Sequence, residues 1–414
     1  MRVVVFALLA VLALASYAEA TSKGMWRCKN EIMALPTSGS AYSNTVTMAY
    51  GSWPIADLSV QTNNHAAFCM AGALIWARNG DATLRTKVRS GLMSAMRSMD
   101  QQSEYDKSGS RTLGVGRQLT GYVIAADLID FASFAADSEA IFSTWLNQMR
   151  TQTFTNSNSS YCKTLVGTHE STNGWGLEAG ASRLAIAIYR GQADEVARCD
   201  SLFRAHGDQS YFPAGSVQFC APGGDYFIRT GAYEPTWVCG DTSSWTTISP
   251  TCTKTEANNN ACSDRDPNVE QADINGAIVN EVSRAVDGGN VTPFVWPPCY
   301  AGMMYQWSAM NGIVLMAELL HRKGYDAYAY NDSMVKRAVA FCARAGAAEP
   351  DPQPYGPLGM QYTLQRWMPW VINHRYGSAY QTLSLATSGS GVNYAISATD
   401  WTHAGIASLA PIAV

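Results

Sequence analysis

The sequence predicts a mainly α-helical chain made of repeated αα-hairpins, and three observations carry that expectation. Apolar residues recur at three-to-four spacing through most of the chain, the period of a helix with one buried face. Three of these stretches end in similar punctuation: WARNGD at Trp76–Asp81, YRGQAD at Tyr189–Asp194 and HRKGYD at His321–Asp326. Counting back about sixteen to nineteen residues from each stop glycine, a helix of about 25 Å, reaches three polar and aromatic starts. These are NNH (Asn63, Asn64, His65), TNGWG (Asn173, Trp175) and YQW (Tyr305, Gln306, Trp307). Helices running in one sense would gather those starts at one end of the bundle.

Taken in order, the first twenty residues, MRVVVFALLAVLALASYAEA, carry one basic residue, a short apolar run and an Ala-Glu-Ala exit. That is the pattern of a secretory signal peptide, so the mature chain is expected to span residues 21–414 as one domain and to be secreted. Helical periodicity then marks His65–Arg78, Leu84–Met99, Gly116–Phe134, Ala140–Met149, Ala179–Tyr189, Glu195–His206, Tyr305–Arg322 and Ser333–Arg344. At the stops, basic residues in the last turn and a following Gly end each helix, and the next Asp suits the cap of its successor. From about Gly207 to Asp273 the pattern lapses into Gly, Ser, Thr, Asn, Pro and four cysteines. A loop so long inside a compact domain is expected to be stapled by disulfides and folded over one face. Beyond Gly356 the chain is aromatic and loop-rich again.

Composition narrows the partners. The formal net charge is −4, which offers no basic field for nucleic acid, and an anionic ligand would need a local cluster of Arg, His or Asn. Past the signal segment no run approaches the roughly 18 apolar residues of a membrane helix. All ten cysteines, Cys28, Cys69, Cys162, Cys199, Cys220, Cys239, Cys252, Cys262, Cys299 and Cys342, follow the cleavage site, and disulfides are their expected state in an oxidising compartment. No cysteine or histidine pair has zinc-ligand spacing, so no metal and no organic cofactor is expected. Asn158, Asn290 and Asn331 open glycosylation acceptors.

Four segments together resemble the secreted alginate-lyase-like proteins with an α/α-toroid fold. They are THESTNGWGLEAGASRLAIAIYRG from Thr168, FVWPPCYAGMMYQWSAMNGIVLMAELLHRKGYDAYAY from Phe294, WVINHRYG from Trp370 and ATDWTH from Ala398. VGRQLTGYVIAADLIDF from Val115 is a fifth, weaker likeness. The chain departs from the family at Gly174, where a second Asn often stands, and at Glu178, where His or Met is usual. The resemblance implies an incomplete barrel of αα-hairpins, a monomer, with an acidic polysaccharide as its substrate.

It also implies β-elimination on a (1→4)-linked polyuronate of the alginate or glucuronan type. Abstracting the C5 proton builds charge on the neighbouring carboxylate, so that carboxylate must first be neutralised. Asn173 and His169 are the expected neutralisers, with Arg284 and Arg117 as cationic partners offering a bidentate fork. Tyr305, matching the family's Tyr-x-Trp, is expected as base and acid, with Tyr300 as the fallback and His169 as base beside Tyr305 as acid the alternative. Trp175, Glu178, His374, Arg375 and Tyr376 complete the expected substrate contacts, although Arg375 would equally suit an ion pair with Asp400. Arg183 reads as a structural ion-pair partner, and Glu170 as an orienter of His169. Glu170 and Glu178, eight residues apart, are the carboxylates that a glycosidase on the same scaffold would use. A secreted binding protein without catalysis is the remaining class.

Overall fold

The computed structural model describes residues 40–58, 63–100, 111–154, 164–170, 174–207, 276, 278, 281, 300–347, 372, 375 and 376. The expected signal peptide and the expected stapled loop at about 207–273 lie, all but Gly207, outside these residues, as does most of the chain beyond Gly356.

The described chain is mainly helical: α1 (Ser40–Tyr50), α2 (His65–Asn79), α3 (Ala82–Asp100), α4 (Arg111–Leu128), α5 (Phe131–Phe134), α6 (Ala136–Thr151), α7 (Leu165–His169), α8 (Gly174–Tyr189), α9 (Ala193–Ala205), α10 (Tyr300–Arg322) and α11 (Tyr330–Ala347). All eight periodic segments are helical. Gly116–Phe134 divides into α4 and α5, with Asp130 in the left-handed region at φ 49°. In α11 the left-handed Asn331, Asp332 and Ser333 interrupt the helix, which runs on from there, close to the expected start at Ser333.

The three stops are left-handed glycines, Gly80 at φ 76°, Gly191 at φ 68° and Gly324 at φ 89°, a conformation that costs other residues about 1–2 kcal/mol. Asp81 then caps α3, its Oδ1 accepting from the Thr83 N–H at 2.8 Å. At the second stop, Asp194 lies in the first turn of α9, where its charge favours the helix dipole.

The helices form two layers. α2, α4, α8 and α10 stand side by side in that order, and α3, α9 and α11 pack behind their own hairpin partners, with α6 against α3 and α8. The outer helices are amphipathic; α3 buries Leu84, Val88, Leu92 and Ala95 at helical spacing. The inner ones are buried almost all round: from Thr112 to Leu128 only Arg117 of α4 reaches solvent, and from Gly174 to Tyr189 only Trp175 of α8 does.

Small residues set the register of this inner row. A methyl on Gly116 would meet the Ala179 nitrogen at 3.1 Å, and four residues on, Thr120 bonds Ser182 at 2.9 Å. On the other flank a methyl on Gly174 would meet the Ala309 Cα at 3.6 Å, one on Gly312 the Leu177 carbonyl carbon at 2.5 Å, and one on Gly180 the Met316 sulfur at 2.7 Å. Both sets of pairs rise together, so α4, α8 and α10 run in the same sense. The glycines allow the close approach.

Candidate functional site

The shared register fixes which starts meet. Gly174 opens α8 level with Ala309, and Tyr305 stands four residues, about one turn, further toward that same end. The entrances of α8 and α10 therefore share one end of the inner row. The NNH start does not join them: Asp57 and His65 meet α4 at Gln118 and Tyr122, so α2 begins about two turns deeper. Asn63, one residue before the N-cap Asn64, holds the chain in a local turn there, its Oδ1 accepting from the His65 N–H at 3.0 Å. His65 is buried among Trp53, Cys69 and Tyr122, and burial lowers its pKa to about 4.

At the α8 entrance the sequence reading places a substrate carboxylate, and the structure places one of the protein's own. The Gly174 N–H donates to Glu281 Oε1, a carboxylate that is 1% exposed. A negative group at a helix N-terminus satisfies an orphan donor and the dipole together. Beside it, Gln306 of the YQW start receives the Ile278 N–H at 2.7 Å and donates to the Gly276 carbonyl at 3.2 Å, tying this second segment to α10. Neither Glu281 nor Gln306 was among the expected site residues. Their partners lie 107 and 28 or more residues away along the chain, and no local pattern announces them.

Around α8, at about 100° per residue, Gly174, Glu178 and Ala181 face the space between α4 and α10, while Arg183 points back toward α9. Glu178 Oε1 stands 3.9 Å from Arg117 Nε, with side chains 2% and 19% exposed. Burial pushes the Glu178 carboxyl up to about 7, against the pull of Arg117. Trp175, partly exposed, lies one turn before the Glu178 level on the α4 side. Arg117, Glu178 and Trp175 are thus expected site residues that the fold brings to one inner face.

His169 is elsewhere. Its ring lies against Gly180, on the opposite side of α8 from Glu178, and is 1% exposed with neither ring nitrogen hydrogen-bonded. Burial, then the charges of Arg183, His206 and Arg198, hold its pKa well below the usual histidine value. A neutral ring without solvent access does not present a donor to a sugar carboxylate. Glu170 does not orient it: that carboxylate receives Arg198 at 2.8 Å and Arg183 at 3.8 Å. Arg183 is the expected ion-pair partner, bonding Glu195 at 2.7 Å.

At the far end of α10, Arg375 grips Glu318; Asp400, the partner expected from the sequence, lies outside the described residues. The Arg375 Nε and Nη2 donate to the two Glu318 carboxylate oxygens at 3.0 and 2.7 Å. Arg322 and the Tyr328 hydroxyl add bonds at 2.8 and 2.9 Å, and Tyr376 donates to the Tyr328 carbonyl at 2.9 Å. Arg375 and Tyr376 here close the fold at α10 and α11. Asn173, Arg284 and His374 lie outside the described residues, and so do the side chains of Tyr300 and Tyr305.

Two expectations about covalent chemistry change. Cys69 and Cys199 are buried free thiols rather than halves of disulfides. Burial raises both, Cys199 to about 12, so they behave as small apolar side chains. The Asn331 amide nitrogen donates to the Arg204 carbonyl at 2.7 Å and abuts Gly207, so a glycan there would have to break that contact. Asn158 and Asn290, and every cysteine other than Cys69, Cys199 and Cys342, lie outside the described residues. Among the described residues no group of three or more His, Cys, Asp or Glu side chains could hold a metal ion, and no helix is long and apolar enough to cross a membrane. Comparison with family models and with curated proteins found no match to this chain.

Proposed function

We propose that the chain is an α/α-toroid polysaccharide lyase, secreted, which cleaves a (1→4)-linked polyuronate of alginate or glucuronan type by β-elimination. The observation that carries the reading is the inner row: α4, α8 and α10 run in one sense, with the α8 entrance and Tyr305 at the same end. Arg117, Glu178 and Trp175 on the facing surfaces add a cation, a proton-holding carboxyl and an aromatic face of the kind an anionic sugar chain needs. The likeness of the four quoted segments to alginate-lyase-like proteins supports the same reading.

In this mechanism Arg117, with Arg284 and Asn173, neutralises the uronate carboxylate and so makes the C5 proton removable. The Tyr305 phenolate takes that proton, the C4=C5 double bond forms, the C4–O4 bond breaks, and the phenol returns the proton to the departing O4. A phenol with a reference pKa of about 10 needs adjacent positive charge for this, which the arginines supply. His169 belongs to the wall behind α8. A hydrolase working through Glu170 and Glu178 is disfavoured, because Glu170 is held by Arg198 and Arg183 behind α8 while Glu178 faces α4.

Elimination conjugates a new double bond with the carboxylate and creates low-ultraviolet absorbance. Incubation with alginate, glucuronan and related polyuronates is expected to raise that absorbance, and Tyr305→Phe to abolish the rise with binding retained. New reducing ends without absorbance would replace the lyase by a hydrolase. Silence across the panel would leave a carbohydrate-binding protein.

A further inference from the structure

Each entrance of the candidate site is fastened through the residue next to a proposed catalytic one. Gly174, whose N–H donates to Glu281 Oε1, follows Asn173 in the chain. Gln306, whose side chain accepts from the Ile278 N–H and donates to the Gly276 carbonyl, follows Tyr305. The two fastenings are joined to each other, because the Glu281 N–H donates to the Ile278 carbonyl at 2.8 Å. They meet at the contact of α8 with α10: a methyl on Gly174 would stand 3.4 Å from Glu281 Oε1 and 3.6 Å from the Ala309 Cα, about one turn along α10 from Tyr305. Glu281, Ile278 and Gln306 are 1%, 4% and 0% exposed, so water does not compete for these bonds, and a lost partner would leave a buried polar group unsatisfied. Behind them Gly276, at φ 95°, lies so close to α11 that a methyl on it would run into the Arg337 carbonyl. Arg284, a cation of the proposed mechanism, comes three residues after Glu281 in the sequence.

We propose that Glu281 and Gln306 are positioning residues, a clamp that fixes the α8 entrance against the Tyr305 turn of α10. The clamp sets the separation at which the carboxylate neutraliser and the proton-transferring phenol act on one sugar ring. This rests on the polyuronate reading and names two residues that serve it without touching substrate. Elimination needs both groups on the same ring at once, because the carboxylate must be neutralised while the C5 proton leaves. A misplacement of about 1 Å therefore costs the rate up to about a hundredfold, although each group still binds. Packing at the glycine seam sets how close α8 and α10 come; directional bonds from a carboxylate and an amide set their register at the end where the chemistry occurs.

Two measurements on the whole protein test this. Hydrogen exchange is expected to show the Gly174 and Ile278 N–H groups protected together, and Gln306→Met to release both, because loss of the amide loosens Ile278 and, through it, Glu281. Release of Ile278 with Gly174 unchanged overturns the clamp whatever the substrate is. On the polyuronate panel, folded Gln306→Met and Glu281→Leu are expected to lose roughly tenfold to a hundredfold in kcat with KM kept within about twofold. Glu281→Gln, which retains an acceptor for the Gly174 N–H, is expected to recover most of that rate. A loss of stability with kcat unchanged, or a Glu281→Gln no faster than Glu281→Leu, overturns the positioning role. If the wild type is silent on the whole panel while the exchange behaves as expected, the polyuronate reading fails and the catalytic role with it, and the coupling of the two entrances stands.

Discussion

Two buried glutamates on neighbouring inner helices, Glu318 of α10 and Glu178 of α8, are in opposite states. Both are almost fully enclosed, at 3% and 1% exposure. Burial pushes the Glu318 carboxyl up, but the hydrogen bond from Arg375, with the charges of Arg322 and Arg375, outweighs it and holds the group at about 2. Burial pushes Glu178 up to about 7 because only Arg117 opposes it, too far away for a hydrogen bond. Enclosure alone does not decide the charge of a carboxyl; the number and distance of donors does. Glu318 is a lock between α10 and the returning tail segment, while Glu178 is left able to change its protonation.

Breaking the lock should have the largest effect. Arg375→Met leaves Glu318 with Arg322 and Tyr328 and removes a bidentate pair from a buried carboxylate, which costs about 3–5 kcal/mol. Denaturant unfolding at neutral pH is expected to show that loss, and Glu318→Gln in the same background to recover part of it. A loss below about 1 kcal/mol would mean that the tail contact is dispensable.

The Glu178 side is broken by pH instead. A carboxyl raised in the folded state contributes stability that is fully present below its unfolded value of about 4.5 and is lost as pH rises through about 7. Glu178→Gln is therefore expected to flatten the decline of stability between about pH 4.5 and 7, a difference that reaches up to about 3 kcal/mol and then stays constant at higher pH. Parallel curves for wild type and variant between about pH 4.5 and 7 would show that Glu178 is ionised throughout that range.

This contrast marks what the sequence could and could not reveal. The eight helices were legible because apolar periodicity and basic-Gly stops are local signals, and Gly80, Gly191 and Gly324 adopt the left-handed turn those stops require. Apolar periodicity alone reaches α8 only from Ala179, but counting back from Gly191 puts its start at TNGWG, and α8 begins at Gly174. Glu281, which accepts from the Gly174 N–H at that start, is 107 residues away and no local pattern announces it. The short α7 and the small-residued α1 carry too little periodicity to be seen. In the candidate site, Arg117, Trp175 and Glu178 were legible as residue types, and the fold brings them to one inner face. His169 was misleading: a His-Glu pair at a polar helix entrance looks reactive, and only the tertiary contact with Gly180 puts it behind the helix. Arg375 was legible as an ion-pair candidate, but its partner Glu318 was 57 residues away.

Gly312→Ala sharpens the geometry around Glu178. Its methyl would stand 2.5 Å from the Leu177 carbonyl carbon, against backbone that cannot rotate away, so α8 and α10 must separate. Overpacking of this kind costs about 1–3 kcal/mol. The separation should also admit water to Glu178 and bring its titration down toward the usual glutamate range, readable by infrared spectroscopy. Gly116→Ala, with its nearest contact at 3.1 Å, should do the same more weakly. A destabilised Gly312→Ala whose Glu178 titration is unmoved would separate the packing from the proton.

The smallest effect expected is that of Tyr328→Phe, and it probes how much redundancy the lock holds. The hydroxyl donates to Glu318 Oε2 at 2.9 Å, but Arg375 Nε donates to the same oxygen at 3.0 Å, so the carboxylate keeps a partner on each oxygen. The ring stays in place, packed edge-on against Tyr376 and His321. The cost should therefore fall at or below the lower end for a hydrogen bond to a charged group, about 1 kcal/mol at neutral pH. The sign of its pH dependence is opposite to that of Glu178: Glu318, lowered in the folded state, contributes stability present above its unfolded value of about 4.5 and lost as pH falls through about 2. His65 and His206, both held at about 4 by burial, already remove stability as pH falls from about 6.5 to 4. The difference between wild type and Tyr328→Phe must then be read across the whole acid limb, where it should shrink only below about pH 4 as Glu318 itself takes up a proton. A difference that vanishes between about pH 6 and 5 would belong to the histidines, and the Tyr328 hydroxyl would have no share in holding Glu318 ionised.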